Sequence, residues 1–191
     1  MDTQLFDSLR EFVNPQYGDK DSLENLDHVK RIITQARSLA EAENLEIDDN
    51  IIVFGAYLHE LIFINETEIR DFLFSIGLER EFVIKVMKTA WESGKEAKPE
   101  TTEGALLHDA HLIEGGQEYQ VAKWLVHGAA QGQSLNYILD LMEHRVIGKY
   151  TCTTEAAQKI YADIEKHRLH FVQAVRNVIT SSVPKKEAET K

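Results

Sequence analysis

The chain has 191 residues, 43% of them hydrophobic and 28% charged, with ten glycines, three prolines and one cysteine; this is the composition of a single helix-rich globular domain and not of a disordered chain. A formal net charge of −11 argues against broad nucleic-acid binding, which needs a basic face to neutralise phosphates. A lone Cys152 excludes an intrachain disulfide and a cysteine-based zinc site. An acidic N-terminus and the lack of any apolar run near ~20 residues predict a cytoplasmic protein without a membrane anchor.

Helical spacing of apolar residues dominates from end to end. A first helix is predicted from about Gln4 to Val13, stopped by Asn14-Pro15. A second is capped near Asp21-Ser22 and runs to about Asn44, with Leu26, Val29, Ile32, Ile33, Ala36, Leu39 and Ala40 on one stripe. The third, roughly Asp49 to Ile64, is apolar nearly all round and so central. A fourth covers Thr67 to Ile76 with Gly77 as its stop, and a fifth Glu79 to Trp91.

After the polar loop ESGKEAKPETT, Thr101 or Thr102 caps a helix holding GALLHDAHLIEGG, which Gly115-Gly116 ends. Helices at about Glu118 to Ala130 and Ser134 to Ile147 follow, then a long one from Thr154 to about Ile179. No alternating strand pattern occurs. The expectation is an all-α, single-domain helical bundle over residues 1–180, with a motif core at about 21–150, a closing helix at 154–180 and a flexible tail at 181–191.

Several polar residues interrupt these apolar faces: His28, the pair His59-Glu60, and the group His108, Asp109 and His111. Buried imidazoles and carboxylates need partners, and one shared divalent ion would satisfy them together. In chain order, LDHVKRIITQARSLAEAENLEID followed by IIVFGAYLHELIF resembles the first-ligand helix and the His-Asp helix of the HD-domain superfamily of metal-dependent phosphohydrolases. KPETTEGALLHDAHLIEGG resembles a stretch that often reads Glu-x-x-Ile-x-x-Asp-Ala-Asp-x-Leu in one branch of that family, and KYTCTTEAAQKIYADIEKHRLHFVQAV resembles its closing helix. The resemblance covers about Asp21 to Val178. It assigns the dyad to His59-Glu60, with Glu in place of Asp, and not to the His108-Asp109 pair. His111 stands where the motif has its second acid.

The resemblance implies a helical bundle of the HD-domain type that hydrolyses a phosphate ester or nucleotide. A divalent ion (Mn, Mg, Fe, Ni, Co or Zn) would be held by His28, His59, Glu60 and a residue of the Asp109 motif, with Glu60 also acting on water. For that last ligand, Asp109 and His111 point about 200° apart on a regular helix; Asp109 lies about 60° from the apolar direction set by Leu106, Ala110 and Ile113, and His111 about 140°. Asp109 is therefore the expected ligand, with His108 and His111 supporting it or solvated. Lys30, Arg31, Lys95 and Lys98 are nearby candidates for substrate phosphate. A domain that has kept the fold and binds a ligand or partner without catalysis is the alternative. Nothing marks a dimer surface, and self-association is left open.

Overall fold

The structure, a computed structural model, describes residues 3–17 and 23–181. Among them the chain is helical throughout, with no strand: α1 (Thr3–Tyr17), α2 (Leu26–Ala42), α3 (Asp49–Leu58), α4 (Ile62–Ser75), α5 (Arg80–Glu92), α6 (Thr102–Ile113), α7 (Gly116–Ala130), α8 (Leu135–Leu141) with a π-turn at Met142–Val146, and α9 (Glu155–Ser181). Helix α3 is central. Every residue from Ile51 to Leu58 is buried, and α1, α2, α5 and α6 pack around it. Gly55 permits the closest approach, because a Cβ there would stand 2.8 Å from Thr89 Cγ2 and 3.0 Å from Leu107 Cδ1.

The apolar stripe of α2 faces this core as expected, with Val29, Ile32, Ile33, Ala36, Leu39 and Ala40 all buried. A smaller apolar cluster, built from Val121, Ile138, Leu139, Met142 and Val172, joins α7, α8 and α9. No helix among the described residues is long and apolar enough to cross a membrane.

Several boundaries differ from the sequence expectation, among them the start of α4, at Ile62 and not Thr67. Helix α1 continues through Pro15 to Tyr17; the proline falls in the last turn, and Tyr17, fully buried, anchors that turn in the core. The expected cap at Asp21-Ser22 lies outside the described residues, and α2 begins at Leu26, where Asn25 Oδ1 accepts from the Asp27 N–H at 2.8 Å. The single helix expected from Asp49 to Ile64 is interrupted after Leu58. There the His59 Nδ1–H donates to the Ala56 carbonyl at 2.6 Å, competing for the acceptor that a continuing helix would offer to the Glu60 N–H. The helix expected over Ser134 to Ile147 ends in the π-turn. The tail residues 182–191 lie outside the described residues.

Asp109 fastens the closing helix. It is fully buried, and its Oδ1 accepts from the Thr153 N–H at 2.8 Å and the Thr153 hydroxyl at 3.2 Å, while Oδ2 accepts from the Thr154 N–H at 2.7 Å and the Thr154 hydroxyl at 2.8 Å. A carboxylate at the start of α9 satisfies donors that the first turn leaves unpaired and faces the positive end of the helix dipole. Asp109→Ala should lower unfolding stability by roughly 3 kcal/mol or more, since each hydrogen bond to a charged group contributes about 1.5–3 kcal/mol. Urea denaturation measures this, and a variant as stable as the parent would show that the carboxylate does not hold α9.

Candidate metal centre

Three imidazoles meet between α2, α3 and α6. His28 lies in the first turn of α2, His59 ends α3, and His111 sits in the last turn of α6. One ring nitrogen from each lies within 4.8 Å of the others. His28 Nε2 and His59 Nε2 are 3.2 Å apart. With metal–nitrogen bonds of about 2.0–2.1 Å, two imidazoles on one ion have nitrogens about 2.8–3.4 Å apart at angles between 90° and tetrahedral.

The opposite face of each ring explains why these atoms point at one another. His59 Nδ1 donates to the Ala56 carbonyl, and His111 Nδ1 lies 3.3 Å from the Ser93 carbonyl. His28 Nδ1 stands 2.8 Å from Glu114 Oε1, a short contact whose N–H is poorly aligned with the oxygen. Carbonyl and carboxylate oxygens only accept, so in each neutral ring the proton belongs on Nδ1 and the lone pair on Nε2. Two buried lone pairs at 3.2 Å repel unless a cation or proton lies between them. Burial and the neighbouring His28 push His59 down to about 4, and burial, with Lys95 beside it, holds His111 well below the ordinary histidine value. Both rings are therefore neutral near pH 7 and able to bind a cation.

Glu60 brings the carboxylate. Its Oε1 lies 3.7 Å from His28 Nε2 and 3.9 Å from His59 Nε2, with the side chain 28% exposed at the floor of a cleft of about 620 Å³. Phe63, Trp91 and Tyr150 line the same cleft; Phe63 and Trp91 pack edge to face at 4.7 Å and are both exposed.

The structure thus joins His28, His59 and Glu60, as expected, but the third motif contributes His111 where Asp109 was expected. Asp109 faces the start of α9, as described above. The helical phase was misjudged because α6 is buried on nearly every side, from Leu106 to Ala110 and again at Leu112 and Ile113, so its apolar residues define no single inward direction. His108 is buried away from the imidazole cluster, its nitrogens facing the carbonyls of Gly94 at 2.9 Å and Thr151 at 3.2 Å.

The candidate phosphate contacts separate. Lys30 is exposed and pairs with Asp27 at 2.9 Å, and Lys98 is exposed outside the cleft. Arg31 donates through Nε to Glu114 at 2.8 Å and through a terminal nitrogen to the Tyr119 hydroxyl at 2.6 Å. Lys95 alone lines the cleft, beside His111.

Sequence reasoning missed Glu114. This carboxylate, 1% exposed at the end of α6, meets His28, Arg31 and, at 3.3 Å, Lys123. Burial alone would raise its pKa, but the close approach of His28, with Lys123 and Arg31, outweighs that and holds it at about 2. The available signal was an acid closing an apolar run immediately before Gly115-Gly116. Both glycines have positive φ, of 70° and 77°, and a Cβ on Gly115 would meet the Tyr119 ring at 2.3 Å. Glu114→Gln, which leaves three cationic or donating partners around a neutral amide, should cost about 3 kcal/mol in chemical denaturation; an unchanged midpoint would remove Glu114 from this role.

The sequence matches no protein-family model and no curated protein. Solved structures do match the fold. Bacillus subtilis YpgQ in complex with ADP aligns over 91% of this chain and 97% of its own at 19% identity, with a TM-score of 0.68. A Lactobacillus plantarum protein aligns over 94% and 99% at 14% identity and a TM-score of 0.76. An HD-superfamily hydrolase from Bacillus thuringiensis aligns over 93% and 97% at 18% identity and a TM-score of 0.68. At these identities the likeness establishes the fold, which is the all-α HD type.

Proposed function

We propose that the protein is a divalent-metal-dependent phosphohydrolase acting on a phosphate ester or nucleotide, with His28, His59, His111 and Glu60 holding the ion. The observation that carries this reading is the convergence of three imidazole nitrogens, two of them buried, in rings whose opposite nitrogens each stand beside an oxygen acceptor, as in metal-binding histidines. Three nitrogens and a carboxylate suit Mn, Fe, Co, Ni or Zn better than Mg, which favours oxygen ligands. When bound, such an ion supplies Lewis acidity, lowering the pKa of water and polarising a phosphoryl oxygen.

The remaining roles fall to this chain's own groups. Glu60, with its side chain 28% exposed, orients a water and takes its proton at the carboxylate oxygen that the ion leaves free. Ala56, Ser93 and Glu114 fix the orientation of the three rings, so the site is assembled before substrate arrives. Phe63, Trp91 and Tyr150 offer apolar and aromatic surface to the organic part of an ester. The ADP held by YpgQ supports a nucleotide as one substrate class.

Metal analysis of the purified protein, followed by a screen of phosphate esters and nucleotides with Mn²⁺, Fe²⁺, Co²⁺, Ni²⁺, Zn²⁺ and Mg²⁺, tests the proposal. His59→Ala and His111→Ala should lose the ion, whereas Asp109→Asn should keep it in every folded molecule. Metal retained equally by His59→Ala would overturn the site. Glu60→Gln should fold normally and lower kcat at least about 100-fold. If metal binds and nucleotides bind but no ester turns over, the protein is a ligand-binding domain and the hydrolase reading fails.

A further inference from the structure

Lys95 is in an unusual electrostatic position for a chain of net charge −11. It follows α5, is mostly buried, and among the described residues forms no ion pair or hydrogen bond. It lines the imidazole cleft and also a second recess of about 150 Å³ shared with Gln120, Lys123, Trp124 and His127, with Glu24 at its edge. A narrow gap nearby is bounded by Lys95, His111, Gln120 and Arg168. Burial, with the charges of Lys123 and Arg168, pushes Lys95 down to about 8, against the smaller opposing effect of Glu114 and Glu60.

The neighbouring acids are already engaged. Glu114 is shared among His28, Arg31 and Lys123; Glu165 accepts from Arg168 at 2.7 Å; Glu60 is beside the imidazoles; and Glu24, at the edge of the recess, stands 3.4 Å from His127 and forms no ion pair with Lys95. Arg168, only 3% exposed, donates to Glu165 and to Gln120 Oε1 at 2.6 Å, yet its buried Nε–H has no acceptor. Burying a cation without a counter-ion is costly, and burying it against two others more so. The arrangement is accounted for when an anion completes it.

We propose that Lys95 and Lys123, backed by Arg168, form an oxyanion subsite beside the imidazole cleft that receives a phosphate group of the substrate. The subsite rests on the phosphohydrolase reading for its place in a reaction, but not for its existence as an anion site. The recess is several times the roughly 30 Å³ share of one water, enough room for a tetrahedral oxyanion. Lys95 borders both the recess and the imidazole cleft that holds His111, and so connects the two.

The test uses metal-free protein and inorganic phosphate, with chloride at equal ionic strength as reference. Phosphate should raise the melting temperature of the parent and bind saturably by calorimetry. Lys95→Met should weaken that binding at least 10-fold. Without phosphate it should melt at or above the parent, because an unpaired buried charge has been removed. His59→Ala should still bind phosphate, so failure of the metal site leaves this result standing. Pyrophosphate binding much tighter than phosphate marks the subsite as one position in a phosphate chain; equal binding marks it for a single terminal phosphate. Phosphate acting no differently from chloride, or binding Lys95→Met as tightly as the parent, would overturn the subsite.

Discussion

Glu114 is the interaction on which the rest of the site depends. An ionised carboxylate is expensive to bury, and this one is stable only because His28, Arg31 and Lys123 surround it. In return it connects α2 to the end of α6 and to α7, and it turns the His28 ring so that Nε2 faces His59. The positive-φ glycines that follow let the chain reverse at once into α7, which brings Lys123 and Tyr119 back onto the same carboxylate.

Helix α6 distributes its polar residues by direction, and each direction has its own chemistry. Asp109 points to the amide and hydroxyl donors at the start of α9, where a negative charge is favoured by the helix dipole. His108 bridges the segment after α5 and the segment before α9. His111 turns toward α2 and α3, where two imidazoles already wait. One short sequence therefore supplies a helix anchor, a loop bridge and a candidate ligand, and only the last belongs to the cleft.

The break after Leu58 links local structure to the same site. In a longer α3, the Ala56 carbonyl would be an ordinary backbone acceptor; here it fixes the His59 ring and the helix stops. That leaves Glu60 at the boundary between core and solvent, with Oε1 3.7 Å from His28 and 3.9 Å from His59 and the side chain exposed enough to meet a water. Phe63 and Trp91 give this cleft an aromatic wall, and Lys95, which lines it too, also borders the recess with Lys123.

The sequence by itself determined the helical class, the central place of α3, the apolar face of α2, and the grouping of His28 with His59-Glu60. The first three follow from 3.6-residue periodicity, which is local; the grouping was implied by polar residues embedded in apolar helices together with the resemblance of their chain order to the HD-domain pattern. The chain order of the motifs was enough to resemble the HD-domain pattern, and the fold agrees. The tertiary structure decided what periodicity could not. For α6, buried on nearly all sides, no amphipathic direction distinguishes Asp109 from His111, so the choice is made by what packs against each: the donors of Thr153 and Thr154 for one, the rings of His28 and His59 for the other. Glu114, Lys123 and Arg168 were invisible for a related reason. Their significance lies in charges brought together from positions far apart in the chain, and pairwise electrostatics in a buried volume has no signature in linear spacing.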